Sequence, residues 1–163
     1  MAALEGHLEV CRIITDAVPL EYRNPAGGFW YSKTPLHLAA VRGHLEVCRL
    51  FIESTLKDKN PADVSGWTPL HVAVGGGHLE ICRLIMDKLD SKNPPDVDGN
   101  TPLHEAAYEG YQEICHLIME TLEHKNPANK WGRTEHLCMR HLRGDTLGSA
   151  ASSWTIWNTI KTQ

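Results

Sequence analysis

The stretch Thr34-Pro35-Leu36-His37-Leu38-Ala39-Ala40 decides the fold, because its first four residues return at a regular spacing. The copies of Thr-Pro-Leu-His occupy residues 34–37, 68–71 and 101–104, at offsets of 34 and 33. A second string, typified by Gly-His-Leu-Glu-Val-Cys-Arg, has copies or weaker variants at 6–12, 43–49, 77–83 and 110–116. A third string, Asn-Pro, begins at residues 24, 60, 93 and 126. Three strings that share one period predict a chain of repeated units about 33 residues long.

The Thr-Pro pair predicts the start of a short helix in each unit. The hydroxyl of Thr34 suits an N-cap, because it accepts a hydrogen bond from a first-turn N–H. Pro35 suits the first helical position, where its missing N–H is no loss. We predict that this helix runs from Pro35 to Arg42 and stops at Gly43, a residue type favoured just after a helix end.

A second helix and a loop complete the unit. Apolar residues after Gly43 recur with helical spacing, which predicts an amphipathic helix from His44 or Leu45 to about Leu56. The stretch 60–66 is rich in helix breakers and is predicted to be non-helical. Each unit is therefore expected to read helix, turn, helix, projecting loop.

Composition narrows the classes of function. The chain has 163 residues, of which 42% are hydrophobic and 22% charged, values typical of folded proteins. Its formal net charge of −4 provides no positive field for nucleic acid, and no apolar run is long enough to cross a membrane. The first residues lack the pattern of a secretory signal. We therefore expect an intracellular protein, cytoplasmic and/or nuclear, with no nucleic-acid partner and no membrane insertion.

The five cysteines and ten histidines are numerous enough to suggest metal ligands, but most of them lie at repeated positions of the units. Four cysteines fall at one repeat position on the apolar stripe of the second helix: Cys11, Cys48, Cys82 and Cys115. Helices stack about 8–10 Å apart, too far for a disulfide, so we expect these thiols to be free and buried.

No catalytic, cofactor or metal site is predicted. Pairs such as His44 with Cys48 offer only two ligands where structural zinc needs four. The only cluster outside the repeats, His136, Cys138 and His141, matches no standard zinc spacing. The glycines 75–77 are not followed by the Lys and Ser/Thr of a phosphate-binding loop.

The chain resembles the ankyrin-repeat family. The resemblance rests on Thr-Pro-Leu-His-x-Ala at 34–39, 68–73 and 101–106, with Gly-His-Leu-Glu at the matching offset. It implies an all-α solenoid of stacked helix-turn-helix units with hairpin-like finger loops. It also implies that the histidines of Thr-Pro-Leu-His tie neighbouring loops together by hydrogen bonds.

The repeats predict the domain organisation. The ankyrin-repeat domain is expected over 1–144, with units at about 1–32, 33–66, 67–99 and 100–132 and a degenerate unit at 133–144. The first unit begins in the middle of its first helix, which suggests a fragment of a longer array. Residues 145–163 are expected to be a linker or a partial cap that places Trp154 and Trp157 over the open end, and a disordered tail is an equal alternative.

The resemblance also implies a function and a surface. Proteins of this family bind partner proteins on a concave face made of finger tips and exposed first-helix positions. We therefore expect a non-catalytic interaction scaffold, monomeric in isolation, that binds a protein or peptide. The predicted partner-binding residues are Trp30, Tyr31, Lys33, Arg42, Trp67, Asn100, Tyr108, Glu109, Trp131 and Arg133.

Two alternatives stay open at this point. Trp67 suits partner recognition and packing along the finger row equally well, since Trp is enriched at binding hot spots and also supplies a large packing surface. The other alternative concerns the whole chain, which also fits a regulatory ankyrin-repeat segment of a larger enzyme, kinase or channel.

Overall fold

The described part of the chain is all-α. A computed structural model describes residues 1–17, 33–54, 60–89, 92–122 and 128–132. Within these ranges it contains helices and turns and no β-strand. The helices are α1 (Leu8–Ala17), α2 (Pro35–Val41), α3 (Leu45–Ser54), α4 (Pro69–Gly75), α5 (Leu79–Met86), α6 (Pro102–Glu109) and α7 (Gln112–Thr121). The predicted fold class is confirmed.

The helix starts follow the predicted cap, with one addition. Thr34 is in extended conformation, and its side chain accepts from the N–H of His37. The backbone N–H of Thr34 donates in return to Nδ1 of His37 at 3.1 Å. His37 therefore takes the place of the Glu or Gln of an ordinary capping box. The same bond from Thr N–H to His Nδ1 recurs at Thr68 and Thr101 at 3.2 Å.

The helix ends agree with the sequence to within a residue or two where the structure describes them. The first helix of the second unit ends at Val41, one residue before the predicted Arg42, which caps it. Gly43 follows with a φ of 78°, the left-handed region that favours glycine. The second helix is described from Leu45 to Ser54, and its predicted end near Leu56 lies outside the described residues.

Two layers of helices stack side by side. The first helices α2, α4 and α6 contact one another in sequence, and the second helices α1, α3, α5 and α7 form the other layer. Each first helix also packs on the second helix of its own unit. Leu36, Leu70 and Leu103 are completely buried between the layers. The core is thus a line of contacts between neighbours, as expected of a solenoid.

The predicted loops form hairpin-like fingers that join one another. In one finger the N–H of Asp63 donates to the carbonyl of Trp67 at 2.8 Å. The N–H of Val97 in the next finger donates to the carbonyl of Ser65 at 3.2 Å. Gly66 is required at this turn, because its φ is 77° and an added Cβ would lie 2.7 Å from the backbone nitrogen of Val97. The backbone itself therefore fixes the spacing between these fingers.

The histidines of Thr-Pro-Leu-His link successive units, as the resemblance implied. Because Nδ1 of His37 accepts from Thr34, its Nε2 carries the proton and donates to the carbonyl of Trp67 at 3.0 Å. His71 makes the equivalent bond to the carbonyl of Asn100 at 3.3 Å. These buried side chains satisfy backbone groups of the next finger.

The cysteine expectation is also confirmed for the described residues. Cys11, Cys48, Cys82 and Cys115 are free and buried. Burial raises the pKa of Cys48 and of Cys82 to about 12, so both thiols stay protonated at neutral pH. None of the helices in the described ranges is long and apolar enough to span a bilayer. The degenerate unit at 133–144 and the segment 145–163 lie outside the described residues.

Candidate partner-binding surface

The predicted partner-binding residues divide into three groups. Trp30, Tyr31 and Arg133 lie outside the described residues. Three others precede a capping Thr and contact the neighbouring finger: Lys33, Trp67 and Asn100. The remaining four are exposed: Arg42, Tyr108, Glu109 and Trp131.

Lys33 forms an ion pair with the next finger. Its Nζ lies 3.0 Å from Oδ2 of Asp63, and the Asp63 side chain is only 3% exposed. Burial opposes ionisation of Asp63, but Lys33 and the N–H groups of Ser65 and Trp67 outweigh it. The pKa of Asp63 is therefore held below its ordinary value. Much of the Lys33 side chain thus serves the contact between fingers.

Trp67 packs along the finger row. Its Nε1–H donates to Oδ2 of Asp96 at 3.2 Å, and its ring stacks on His71 with 5.9 Å between centroids. The Nζ of Lys33 lies 5.9 Å from the centroid of the Trp67 ring. Of the two roles considered for Trp67, packing is therefore present in the structure, and partner binding stays a prediction.

Asn100 repeats the arrangement one unit further along. Its Oδ1 accepts from Nδ2 of Asn129 at 2.7 Å, and its own Nδ2 donates to Oδ2 of Asp96 at 3.3 Å. One repeat position in the fingers thus holds Asp63, Asp96 or Asn129, spaced by 33 residues; the two aspartates accept from the preceding finger, whereas Asn129 donates to it. Sequence reasoning missed this position, although its period was visible. We call these cross-finger contacts of Lys33, Trp67 and Asn100 the finger ladder.

The exposed members lie at the ends of first helices or in a finger. Tyr108 at the end of α6 is 75% exposed, and Trp131 in a finger is 56% exposed. The Nζ of Lys130 lies 4.6 Å from the centroid of the Trp131 ring and also pairs with Asp98. We call the surface made of the finger tips and the exposed positions of α2, α4 and α6 the finger–helix face. It carries further exposed apolar side chains at Val41, Val64 and Val97.

Glu105 is a residue of this face that sequence reasoning did not single out. Its repeat position holds Leu38 and Val72 in the preceding units. A Cβ added to Gly75 would lie 3.4 Å from Oε1 of Glu105, so the carboxylate leans over the end of α4. Burial raises the pKa of Glu105, and the negative charges of Glu109 and Asp96 raise it further.

The described residues show little of the chemistry of a catalytic or metal centre. No group of three or more His, Cys, Asp or Glu side chains in the described ranges is placed to hold a metal ion. The two thiols with a pKa of about 12 are poor nucleophiles at neutral pH. The cluster of His136, Cys138 and His141 lies outside the described residues.

A two-layer helical solenoid with linked fingers and exposed aromatic side chains defines the class: a repeat protein whose units present one continuous face. A family model described as ankyrin repeats, in three copies, matches residues 55–130, and a model of a single ankyrin repeat matches residues 31–63. Together the matches cover more than half of the chain, and the chain belongs to the ankyrin-repeat family. No curated protein matches it. Ankyrin repeats generally mediate protein–protein interaction, and the family is typically non-catalytic.

Proposed function

We propose that this chain is a non-catalytic interaction scaffold that binds a partner protein or peptide on the finger–helix face. The observation that carries the proposal is the 75% exposure of Tyr108, at the end of α6. A tyrosine offers a large contact area and a polar hydroxyl at low conformational cost, so it is enriched at binding hot spots. Trp131, Val64 and Val97 add exposed apolar area on the same face.

The scaffold beneath this face is suited to binding without rearrangement. The fingers are joined by backbone bonds, by the histidine bonds and by the finger ladder. Side chains mounted on such a frame lose little freedom when a partner binds, which lowers the cost of association. The main role of the finger ladder in recognition is therefore to hold Tyr108 and Trp131 in place, and direct contact with the partner is secondary.

The wider setting is proposed on the same basis. We propose that the protein works inside the cell, in the cytoplasm and/or the nucleus, and its free buried thiols agree with a reducing compartment. A net charge of −4 favours a protein partner over nucleic acid or a membrane surface. We propose a monomer in the absence of its partner.

The test is capture of the native partner by variants of the full chain, with mass spectrometry as readout. The double variant Tyr108→Ala/Trp131→Ala is expected to lose the captured protein. Ile13→Ala is the matched control, because Ile13 is an apolar side chain, 67% exposed, on the second-helix layer. Circular dichroism verifies that both variants keep their helices. Equal capture by the double variant and the unaltered chain would overturn the assignment of the face.

A further inference from the structure

The charge on the finger–helix face reverses along the stack. One repeat position at the end of the first helix holds Arg42 next to α2, Gly76 next to α4 and Glu109 in α6. A second position holds apolar side chains in α2 and α4 and Glu105 in α6. Because α4 lies between α2 and α6, a basic end and an acidic end face each other across a middle unit.

The middle unit has two glycines at this point, and the ring of His78 covers the second, since a Cβ added to Gly76 would lie 2.6 Å from it. Gly75 and Gly76 occupy the positions that hold Val41 and Arg42 in the unit before. The gap over Gly75 is open enough that an added Cβ would meet only Glu105, at 3.4 Å. A side chain of a bound segment can therefore approach the backbone of α4 between the two charged ends.

The acidic end lacks a cation within the described part of the chain. Asp63 and Asp98, in the fingers, are each paired with a lysine. Asp96, Glu105 and Glu109 have no Lys, Arg or His nitrogen within 4.0 Å among the described residues. The raised pKa of Glu105 reflects its burial and the repulsion by the other two carboxylates. An incoming cation would relieve that repulsion.

We propose that the finger–helix face binds an extended peptide segment of opposite polarity, whose lysine or arginine lies over Gly75 between Glu105 and Glu109 and whose acidic residue lies at Arg42. This inference rests on the proposed function and adds the chemistry of the partner. Tyr108 follows Glu105 by three residues on α6 and is 75% exposed, so its ring can offer the same cation a π-face.

The spacing of the helices sets the spacing of charges in the partner. Packed helices lie about 8–10 Å apart, and this is the distance from α2, which Arg42 caps, to α4, which carries Gly75. An extended chain covers about 3.3 Å per residue. The acidic and basic residues of the segment are therefore expected about two to three positions apart.

The probe is a phage-displayed library of random 12-residue peptides, selected on the full 163-residue chain. Enriched peptides are expected to carry Lys or Arg with an acidic residue about two to three positions away. Their synthetic forms are expected to bind Glu105→Gln/Glu109→Gln at least about tenfold more weakly. Glu113→Gln/Glu120→Gln is the matched control, since it removes two exposed carboxylates from α7 in the other layer.

A second variant tests the same site without removing its carboxylates. Gly75→Arg places a cation beside Glu105 from within the chain, and it should block the basic peptides at least as strongly. Unfolding temperatures verify that each variant is folded. If Gly75→Arg does not fold, the single variant Glu105→Gln replaces it in the test.

The outcomes separate this inference from the proposed function. Peptides that need Tyr108 but bind the glutamine double variant unchanged would overturn the charge assignment and leave the finger–helix face intact. Peptides unaffected by Tyr108→Ala, by the glutamine variant and by Gly75→Arg would overturn both. Enrichment of acidic peptides, or no enrichment over a blank support, also counts against the inference.

Discussion

The finger ladder predicts how much stability is lost when one carboxylate oxygen of Asp96 is replaced by an NH₂ group. The carboxylate accepts four hydrogen bonds: Oδ1 from the N–H groups of Asp98 and Asn100 at 2.8 Å, and Oδ2 from Trp67 Nε1 at 3.2 Å and Asn100 Nδ2 at 3.3 Å. Asp96→Asn keeps the two turn bonds but turns an N–H₂ group toward the indole N–H of Trp67. Two donors then face each other.

The magnitude follows from the partial burial of this contact. An unsatisfied buried donor costs about 1–3 kcal/mol, and the lower part of that range applies because Trp67 is only half-buried. We expect Asp96→Asn to lower the free energy of unfolding by about 1.5 kcal/mol. In a Trp67→Phe background, which has no indole N–H, the same change should cost about 0.5 kcal/mol, a coupling of about 1 kcal/mol.

The assay is urea unfolding of the four chains of this double-mutant cycle, followed by circular dichroism, with the m-value compared throughout. Asp98→Asn is the control in the same finger, because its ion pair with Lys130 is exposed to solvent and should contribute less than about 0.5 kcal/mol. If Asp96→Asn costs the same with and without the indole N–H, the ladder bond does not stabilise the stack and the reasoning fails.

Three further predictions concern the scaffold. Gly66→Ala should lower the unfolding free energy by about 2 kcal/mol or more, and Gly132→Ala by about 1 kcal/mol. Both glycines have a positive φ, but only the Cβ at residue 66 also clashes with the next finger. Equal melting temperatures of the two variants would contradict this. The pKa of His71 is lowered to about 4, mainly by burial; Asn100, Asp96 and Asp63 oppose this shift, and His37 adds to it. The contribution of neutral His71 to the unfolding free energy is therefore complete above about pH 6.5, and up to about 3 kcal/mol of it is lost as the pH falls toward 4. Urea titrations at several pH values should show this pH dependence for the unaltered chain and not for His71→Gln. Cys48 and Cys82 should resist iodoacetamide at pH 8 in the folded chain and react after unfolding, as intact-mass measurement will show; rapid alkylation of the folded chain would contradict their burial.

The elements that were predictable from sequence are those set by local chemistry. Thr34, Pro35 and Gly43 define the first helix through a cap, a fixed φ and a left-handed turn, all within ten residues. The buried line of cysteines followed from helical spacing alone. The cap recurs in three units and the cysteine in four, so the period reinforced them.

The site was harder to predict, because its residues are decided by contacts between units. Lys33 and Trp67 were selected for their position and residue type, and the structure shows that both side chains reach the next finger. Their acceptors Asp63 and Asp96 carry the same period but were assigned no role. Glu105 was missed because its repeat position is apolar elsewhere, so that only the space over Gly75 shows its significance.

Amide NMR spectra of the labelled chain with a selected peptide test the central claim most directly. We expect the peptide to shift the amide signals of Gly75, Gly76 and Tyr108, which line the proposed binding face. Glu80 and Glu113, on the exposed side of the second helices, should keep their positions. Shifts confined to α5 and α7, with the two glycine signals unmoved, would contradict binding on the finger–helix face.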